Sequence, residues 1–129
     1  MIDNKLLKIA SNTKFYGLKN NYTYKTNLKN SICGDKISME ISLKKNIIRE
    51  IRYEAEACIF CQASANILAD IVKNKDVCVL KNNLFKYLNI KKKKMPKMYK
   101  NLNFLLSKKY LSRKDCILLP LRAFYKAVK

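Results

Sequence analysis

The sequence predicts an α+β fold, a small three-stranded antiparallel sheet with helices packed on one face. Three observations predict it. Apolar and polar residues alternate in three runs before Cys58. From Phe60 onward the apolar period lengthens to three and four residues. The second and third alternating runs flank a short polar break, which marks a hairpin. Strands that come first, with helices after them, gather the helices on one side of an antiparallel sheet. A chain of 129 residues is expected to form one domain, 1–129.

The elements follow in order. Residues 3–11 read as a short helix, with Asp3 as N-cap and an apolar face of Leu6, Leu7 and Ala10. Residues 22–28 alternate, with Tyr22, Tyr24, Thr26 and Leu28 on one side. Residues 37–43 alternate more cleanly, with Ile37, Met39, Ile41 and Leu43 facing one way. After the break at Lys44, Lys45 and Asn46, residues 47–57 place Ile51, Tyr53, Ala55 and Ala57 opposite Arg52, Glu54 and Glu56. The other face of this sheet is expected to be polar. A helix then carries Phe60, Ala63, Ile67, Leu68, Ile71 and Val72. Residues 76–90 form the next, striped by Val77, Leu80, Leu84 and Leu88, and 91–97 form an exposed basic loop. A short helix carries Leu102, Leu105 and Leu106. The last begins near Ser112 or Lys114, with Leu121, Phe124, Tyr125 and Val128 inward. Pro120 within it should kink the helix or mark its true start.

Composition excludes several chemistries. The chain has no histidine, so Ser-His-Asp and Cys-His catalysis and His-containing zinc sites cannot be built within it. With only Gly17 and Gly34, it has no dinucleotide fingerprint and no phosphate-cradling loop. No run approaches the roughly 20 apolar residues of a membrane span, and the charged N-terminus does not read as a signal peptide. A cytoplasmic setting is expected, with five cysteines kept reduced for metal or sulfur chemistry. The net charge of +19 allows a basic nucleic-acid-binding module as an alternative class. No aromatic-interleaved strand or basic recognition helix supports it. Lysines decorating a solvated surface, one able to meet an acidic protein, explain the charge better.

The remaining soft chemistry is sulfur. Cys33 precedes a strand, Cys58 follows a strand at a helix entry, and Cys116 lies near the start of the last helix. Element ends can direct side chains from rigid support toward one point. A helix N-terminus supplies partial positive charge, which favours thiolate over thiol. Asp35, two residues after Cys33, adds a harder oxygen ligand. Three thiolates and one carboxylate complete a four-coordinate zinc site or the ligand set of a [2Fe–2S] cluster. Three plain core cysteines would read the same way by spacing alone. Cys58 and Cys61 as a redox pair is disfavoured, since Ile59 and Phe60 lie between them and Cys33 would be left unexplained. Cys61 reads as a small buried helix residue, with a spare ligand or sulfur relay as its alternative. Cys78, beside Val77, Val79 and Leu80, reads as core packing.

The motifs carry a resemblance. Asn30, Ser31, Ile32, Cys33, Gly34 and Asp35 resemble the first-cysteine motif of the NifU N-terminal, IscU and SufU family, commonly Asn-Pro-x-Cys-Gly-Asp. Residues 54–65, from Glu54 through Cys58 to Ala65, resemble its second-cysteine segment, and residues 115–124 its third-cysteine helix. Order, hairpin and spacing agree over nearly the whole chain. The resemblance implies a scaffold or carrier rather than an enzyme. Such proteins accept sulfur as persulfide from a cysteine desulfurase, gather iron, hold a nascent [2Fe–2S] cluster and pass it to apo iron–sulfur proteins. Some SufU-like members instead bind Zn2+ and act as sulfur acceptors that stimulate the desulfurase. Carried over by position, Cys33, Asp35, Cys58 and Cys116 are the ligands, and no membrane partner is implied.

Four features depart from the family pattern. Ala57 replaces the usual glycine before the second cysteine. Asp115 stands where the IscU branch has histidine. The Leu-Pro-Pro-Val-Lys chaperone-recognition segment is absent, and Cys61 adds a fourth nearby thiol. These place the resemblance nearer the SufU-like or a divergent NifU-like branch.

Overall fold

A computed structural model describes residues 4–31, 34–89 and 97–129. The expected Asp3 cap and most of the basic loop lie outside them. Helix α1 (Asn4–Ala10) precedes strands β1 (Tyr24–Lys29), β2 (Lys36–Lys44) and β3 (Ile47–Glu56). Helices α2 (Ile59–Val72), α3 (Val77–Asn89), α4 (Lys100–Leu105) and α5 (Lys114–Val128) follow, with 3₁₀ turns at Lys97–Tyr99 and Lys108–Arg113. Among the described residues the sheet is antiparallel and ordered β1-β2-β3.

The hairpin forms where the polar break predicts, with Lys44 inside the strand and a two-residue turn of Lys45 (φ 52°) and Asn46 (φ 67°). Two left-handed residues suit the twist of a tight hairpin. Regular alternation through β3 does not hold. The register slips between Ser42 and Leu43, so Ile48 and Ile51 both enter the core while Arg49 stays exposed. One extra residue on one strand reverses the facing of everything before it.

Ile37, Met39 and Ile41 of β2, with Ile51 and Tyr53 of β3, bury one sheet face. Helix α5 crosses β1 and β2 on this face, and α2 lies against β3 and α5. Residues Phe60 to Ala69 of α2 are buried except Gln62, since α1, α4, α5 and the sheet surround the helix. In α1 only Leu6 is buried, while Leu7 is 44% exposed. Cys78 is exposed, because the inward stripe of α3 runs through Val77, Leu80 and Leu84 and leaves position 78 on the solvent side. Tyr22 and Tyr24 are exposed also, so β1 buries only Thr26 fully.

Helix α5 starts at Lys114, so Pro120 does not mark its start. The proline removes the donor that would reach the carbonyl of Cys116, yet burial of positions 116–121 keeps the chain helical. The opposite sheet face is more covered than its polar pattern suggests. Glu40 is 1% exposed and accepts the amides of Lys19 and Asn20. Its cross-strand partner Arg52 donates to the carbonyls of Lys14, Tyr16 and Gly17. Together they staple residues 14–20 over that face.

A second buried network holds α1. Tyr53 donates its hydroxyl to Asn66 Oδ1 at 2.7 Å, and Asn66 Nδ2 donates to the carbonyls of Ile9 and Asn12. Burial pushes the Tyr53 hydroxyl up to about 12 from 10, and Cys61 and Tyr16 add to the rise. The neutral form is the one the fold holds, so this contribution is complete below pH 10. It is lost as pH rises from 10 through about 12. We therefore expect stability in denaturant titrations to fall across that alkaline window. Tyr53→Phe should lose about 1–3 kcal/mol at neutral pH, because Asn66 Oδ1 is left without its donor. It should also flatten the alkaline decline.

Candidate metal centre

Three sequence-predicted residues converge. One carboxylate oxygen of Asp35 and the sulfurs of Cys58 and Cys116 all lie within 4.8 Å of one another. Cys33 lies outside the described residues.

Each residue arrives by a different route. Asp35 stands immediately before β2, at the end of the connection from β1. That connection is closed by bonds from the Asn30 amide to the Asp35 carbonyl (2.7 Å) and from the Gly34 amide to the Asn30 carbonyl (2.8 Å). Gly34 has φ +78°, with nothing within 4 Å of where a Cβ would stand. The turn therefore needs glycine for its backbone conformation rather than for space. Cys58 is the N-cap of α2, with extended backbone and no side-chain capping bond, so its sulfur is free to face outward from the helix end. Gln62 reaches back from the first turn to the Ala57 carbonyl at 3.1 Å and fixes the entry to α2. Ala57 has no positive φ, so alanine takes this backbone conformation without strain. Cys116 is the third residue of α5.

The two helix N-termini bring partial positive charge to the space between the sulfurs. Asp35 is 8% and Cys116 4% exposed, while Cys58 is half-buried and faces the opening. Asp35 Oδ2 is buried and has no hydrogen-bond partner among the described residues. An oxygen in that state costs free energy unless something cationic or protic meets it.

The donor set fits a metal. Metal–sulfur bonds of about 2.3 Å in a tetrahedron space the ligand atoms about 3.8 Å apart. Separations up to 4.8 Å exceed that by about 1 Å, a shift that side-chain rotation supplies. Cys61 does not join the cluster. It is fully buried in the core. Asp115 does not join either. Its carboxylate lies 3.9 Å from Arg122 with both side chains about half exposed, a surface pair worth at most about 1 kcal/mol.

Two supporting contacts had no signal in the sequence reading. Ser64 is fully buried and donates to the Ile117 carbonyl at 2.6 Å, tying α2 to α5 beside Cys116. The guanidinium of Arg113 lies 5.6 Å from the centre of the Phe60 ring, bridging the residues that lead into Cys116 and follow Cys58. The Ala/Ser-rich stretch after Cys58 was the available hint of close helix approach.

Fold and site thus define a class, an α+β domain that gathers cysteine sulfurs and a carboxylate at its element ends, a donor set that could hold a metal ion. Comparison with known proteins gives the family. The model of the NifU-like N terminal domain matches residues 2–114, and the chain belongs to that family. It is 27% identical over 70 residues to the iron–sulfur cluster assembly scaffold protein IscU of Thermotoga maritima, covering 54% of this chain and 49% of that one. It is 32% identical over 50 residues to the zinc-dependent sulfurtransferase SufU of Bacillus subtilis, covering 39% and 34%. The matches thus span about half or less of these curated relatives. An uncharacterized protein of Borreliella burgdorferi is 32% identical over 128 residues, covering 99% of this chain and 79% of that one. Among solved structures, one from Fervidobacterium islandicum, described as an iron–sulfur cluster assembly scaffold for the SUF system, superposes with a TM-score of 0.83. That match is 22% identical and covers 99% of this chain and 96% of that one. A NifU-like N-terminal structure from Brucella abortus gives 0.80 at 16% identity, covering 98% and 90%. These likenesses bear out the α+β fold.

The burial pattern predicts an order of thiol reactivity. A maleimide should label Cys78 first and Cys58 next, and should leave Cys61 protected until the chain unfolds. Peptide mass mapping against time checks this, and early labelling of Cys61 would contradict its place in the core.

Proposed function

We propose that the chain is an iron–sulfur cluster assembly scaffold. It accepts sulfur and iron, holds a nascent [2Fe–2S] cluster and passes it to apo-proteins in the cytoplasm. The convergence of Asp35, Cys58 and Cys116 at one partly open point carries this reading. Family membership supports it.

On this reading Asp35, Cys58 and Cys116 are ligands, with Cys33 as the fourth by position in the motif. Sulfur arrives from a cysteine desulfurase. A cysteine thiolate of this chain attacks the outer sulfur of the donor's persulfide. One S–S bond forms as another breaks, the donor leaves as thiolate, and no net oxidation occurs. Turning that sulfane sulfur into sulfide takes two electrons from an external reductant such as a small thiol. The carboxylate matters at release. A hard oxygen holds soft iron–sulfur cargo less firmly than thiolate does, so Asp35 is the ligand that yields first. Cys58, half-buried at the opening, is the described sulfur best placed to meet a donor.

A second reading has its own support in the likeness to a zinc-dependent sulfurtransferase. There Zn2+ occupies the same four ligands, and the chain accepts sulfur and stimulates a desulfurase without building a cluster. A carboxylate beside three thiolates suits zinc well. On both readings the chain is a carrier, and nucleic acid and membrane are not its partners. Among the described residues no helix is long and apolar enough to cross a membrane.

Metal analysis of protein purified without chelator separates the two. The scaffold should take up iron and sulfide anaerobically and show visible charge-transfer absorption. Cys33→Ser, Cys58→Ser and Cys116→Ser should each lose that absorption, and Cys78→Ser should keep it. About one tightly held zinc per chain that iron does not displace would instead establish the second reading. Reconstitution of all three ligand variants at wild-type level would rule out this site.

A further inference from the structure

We infer that the ridge formed by residues 108–114 is a docking surface for a protein partner that presents carboxylates around an apolar recess. This rests on the functional reading above, under which that partner is the sulfur donor.

The sequence of the ridge is Lys108, Lys109, Tyr110, Leu111, Ser112, Arg113 and Lys114, and only Tyr110 is buried. Tyr110 is 1% exposed and meets Phe60 and Phe104 edge-on, with ring centres 5.2 and 5.8 Å apart. This anchor holds the turn rigidly, so a partner that binds it loses little conformational freedom. Leu111 is 63% exposed, the most exposed large apolar side chain among the described residues. Four cations flank it in sequence, Lys108, Lys109, Arg113 and Lys114. Arg113 is braced over Phe60, and Lys109 lies 5.3 Å from the Tyr110 ring centre. Lys108, Arg113 and Lys114 form no ion pair with a described carboxylate, and nearby Asp115 faces Arg122 instead.

An exposed leucine flanked in sequence by Lys108, Arg113 and Lys114, none of them ion-paired to a described carboxylate, has a complement, a recess for the leucine with acidic residues at its rim. A nucleic-acid backbone or an anionic membrane surface would use the cations, but a lone leucine adds little to either. Position decides further. The ridge runs into the N-cap of α5, three residues before Cys116, and rests on Phe60, two residues after Cys58. A partner seated on it stands over the site opening.

Two variants test the surface, Lys108→Glu with Lys114→Glu, and Leu111→Asp alone. None of these residues belongs to the metal site. Glutamate at position 114, the first of α5, is favourable to the helix N-terminus, so the charge variant should fold. Affinity for the desulfurase of the same cell is measured directly, alongside sulfur acceptance with cysteine as substrate. Metal content and thermal midpoint serve as controls. We expect Kd and KM to rise about tenfold or more in each variant, with kcat little changed. Wild-type affinity should fall as salt rises. Unchanged Kd and KM in both variants would overturn the docking surface while leaving the functional reading intact. Ridge-dependent binding without sulfur acceptance would keep the surface and refute the function. Absence of both binding and acceptance in wild type would refute both. Variants that keep their affinity for the desulfurase but lose it for duplex DNA or phosphatidylserine vesicles would also overturn the proposal.

Discussion

The distance between the N-terminal ends of α2 and α5 governs the site. Two of its three described groups sit on those ends, and neither helix places a sulfur usefully without the other. The buried bond from Ser64 to the Ile117 carbonyl sets that distance. Ser64 lies six residues along α2 from Cys58, about 9 Å at 1.5 Å per residue, and Ile117 directly follows Cys116. Such a bond contributes only about 0.5–1.5 kcal/mol net. Its larger effect is on register, because a slide of one residue along either helix breaks it. Small buried side chains at Ala63, Ala65 and Ala69 let neighbouring elements come close to α2. Pro120 adds to this dependence. Position 120 cannot donate to the Cys116 carbonyl, so the first turns of α5 rely more on tertiary contacts than an ordinary helix does.

The third described group comes from the sheet, and the sheet owes its rigidity to its polar face. Glu40 and Arg52 sit directly opposite each other on β2 and β3. Each turns to the same covering segment, one accepting amides and the other donating to carbonyls. A buried carboxylate is tolerable because it is met by donors. Lys25 lies only at the limit of an ion pair, 4.0 Å away, so backbone amides do most of this work. With both faces covered, β2 projects Asp35 from a fixed base. Asp35 can then hold an oxygen without a described partner, a cost that only a supported frame can maintain.

Much of this was legible in the sequence, for identifiable reasons. Alternation and the change of period revealed three strands and the helices after them, since burying one face imposes those periods directly. The positions of Cys33, Cys58 and Cys116 at element ends, with Asp35 two residues after Cys33, pointed to a shared site, and of these Asp35, Cys58 and Cys116 lie together among the described residues. Features that depend on tertiary context were not legible. The bulge at Ser42 and Leu43 leaves apolar residues in both registers, Ile47 and Ile48, so the pattern alone could not choose. Glu40 reads as a surface residue until residues 14–20 fold over it. Cys78 looks buried beside Val77 and Leu80, yet it sits about 100° around the helix from Val77 and about 160° from Leu80, outside the stripe. Leu7 fails similarly, because α1 is narrow and presents only Leu6 fully to the core. Pro120 left two starts open for α5, because propensity is local, and the helix begins at the earlier one, Lys114.

Charge closes the account of why so basic a chain suits an anionic site. At the proposed site, three thiolates and a carboxylate around a divalent ion would leave a net charge of −2. Two unit charges about 8 Å apart at an effective dielectric near 20 interact by about 2 kcal/mol. Exposed charges farther away than about 8 Å are largely screened at physiological salt. Most of the lysines therefore cannot stabilise the site, however many there are. The groups that can are local, the two helix N-termini and Arg113, which the Phe60 ring holds at the head of α5. A guanidinium kept in place by an aromatic face loses little freedom in performing that role. The charge excess divides accordingly, with one arginine anchored on Phe60 at the head of α5 and the outer lysines left to the solvent and to whatever surface meets them.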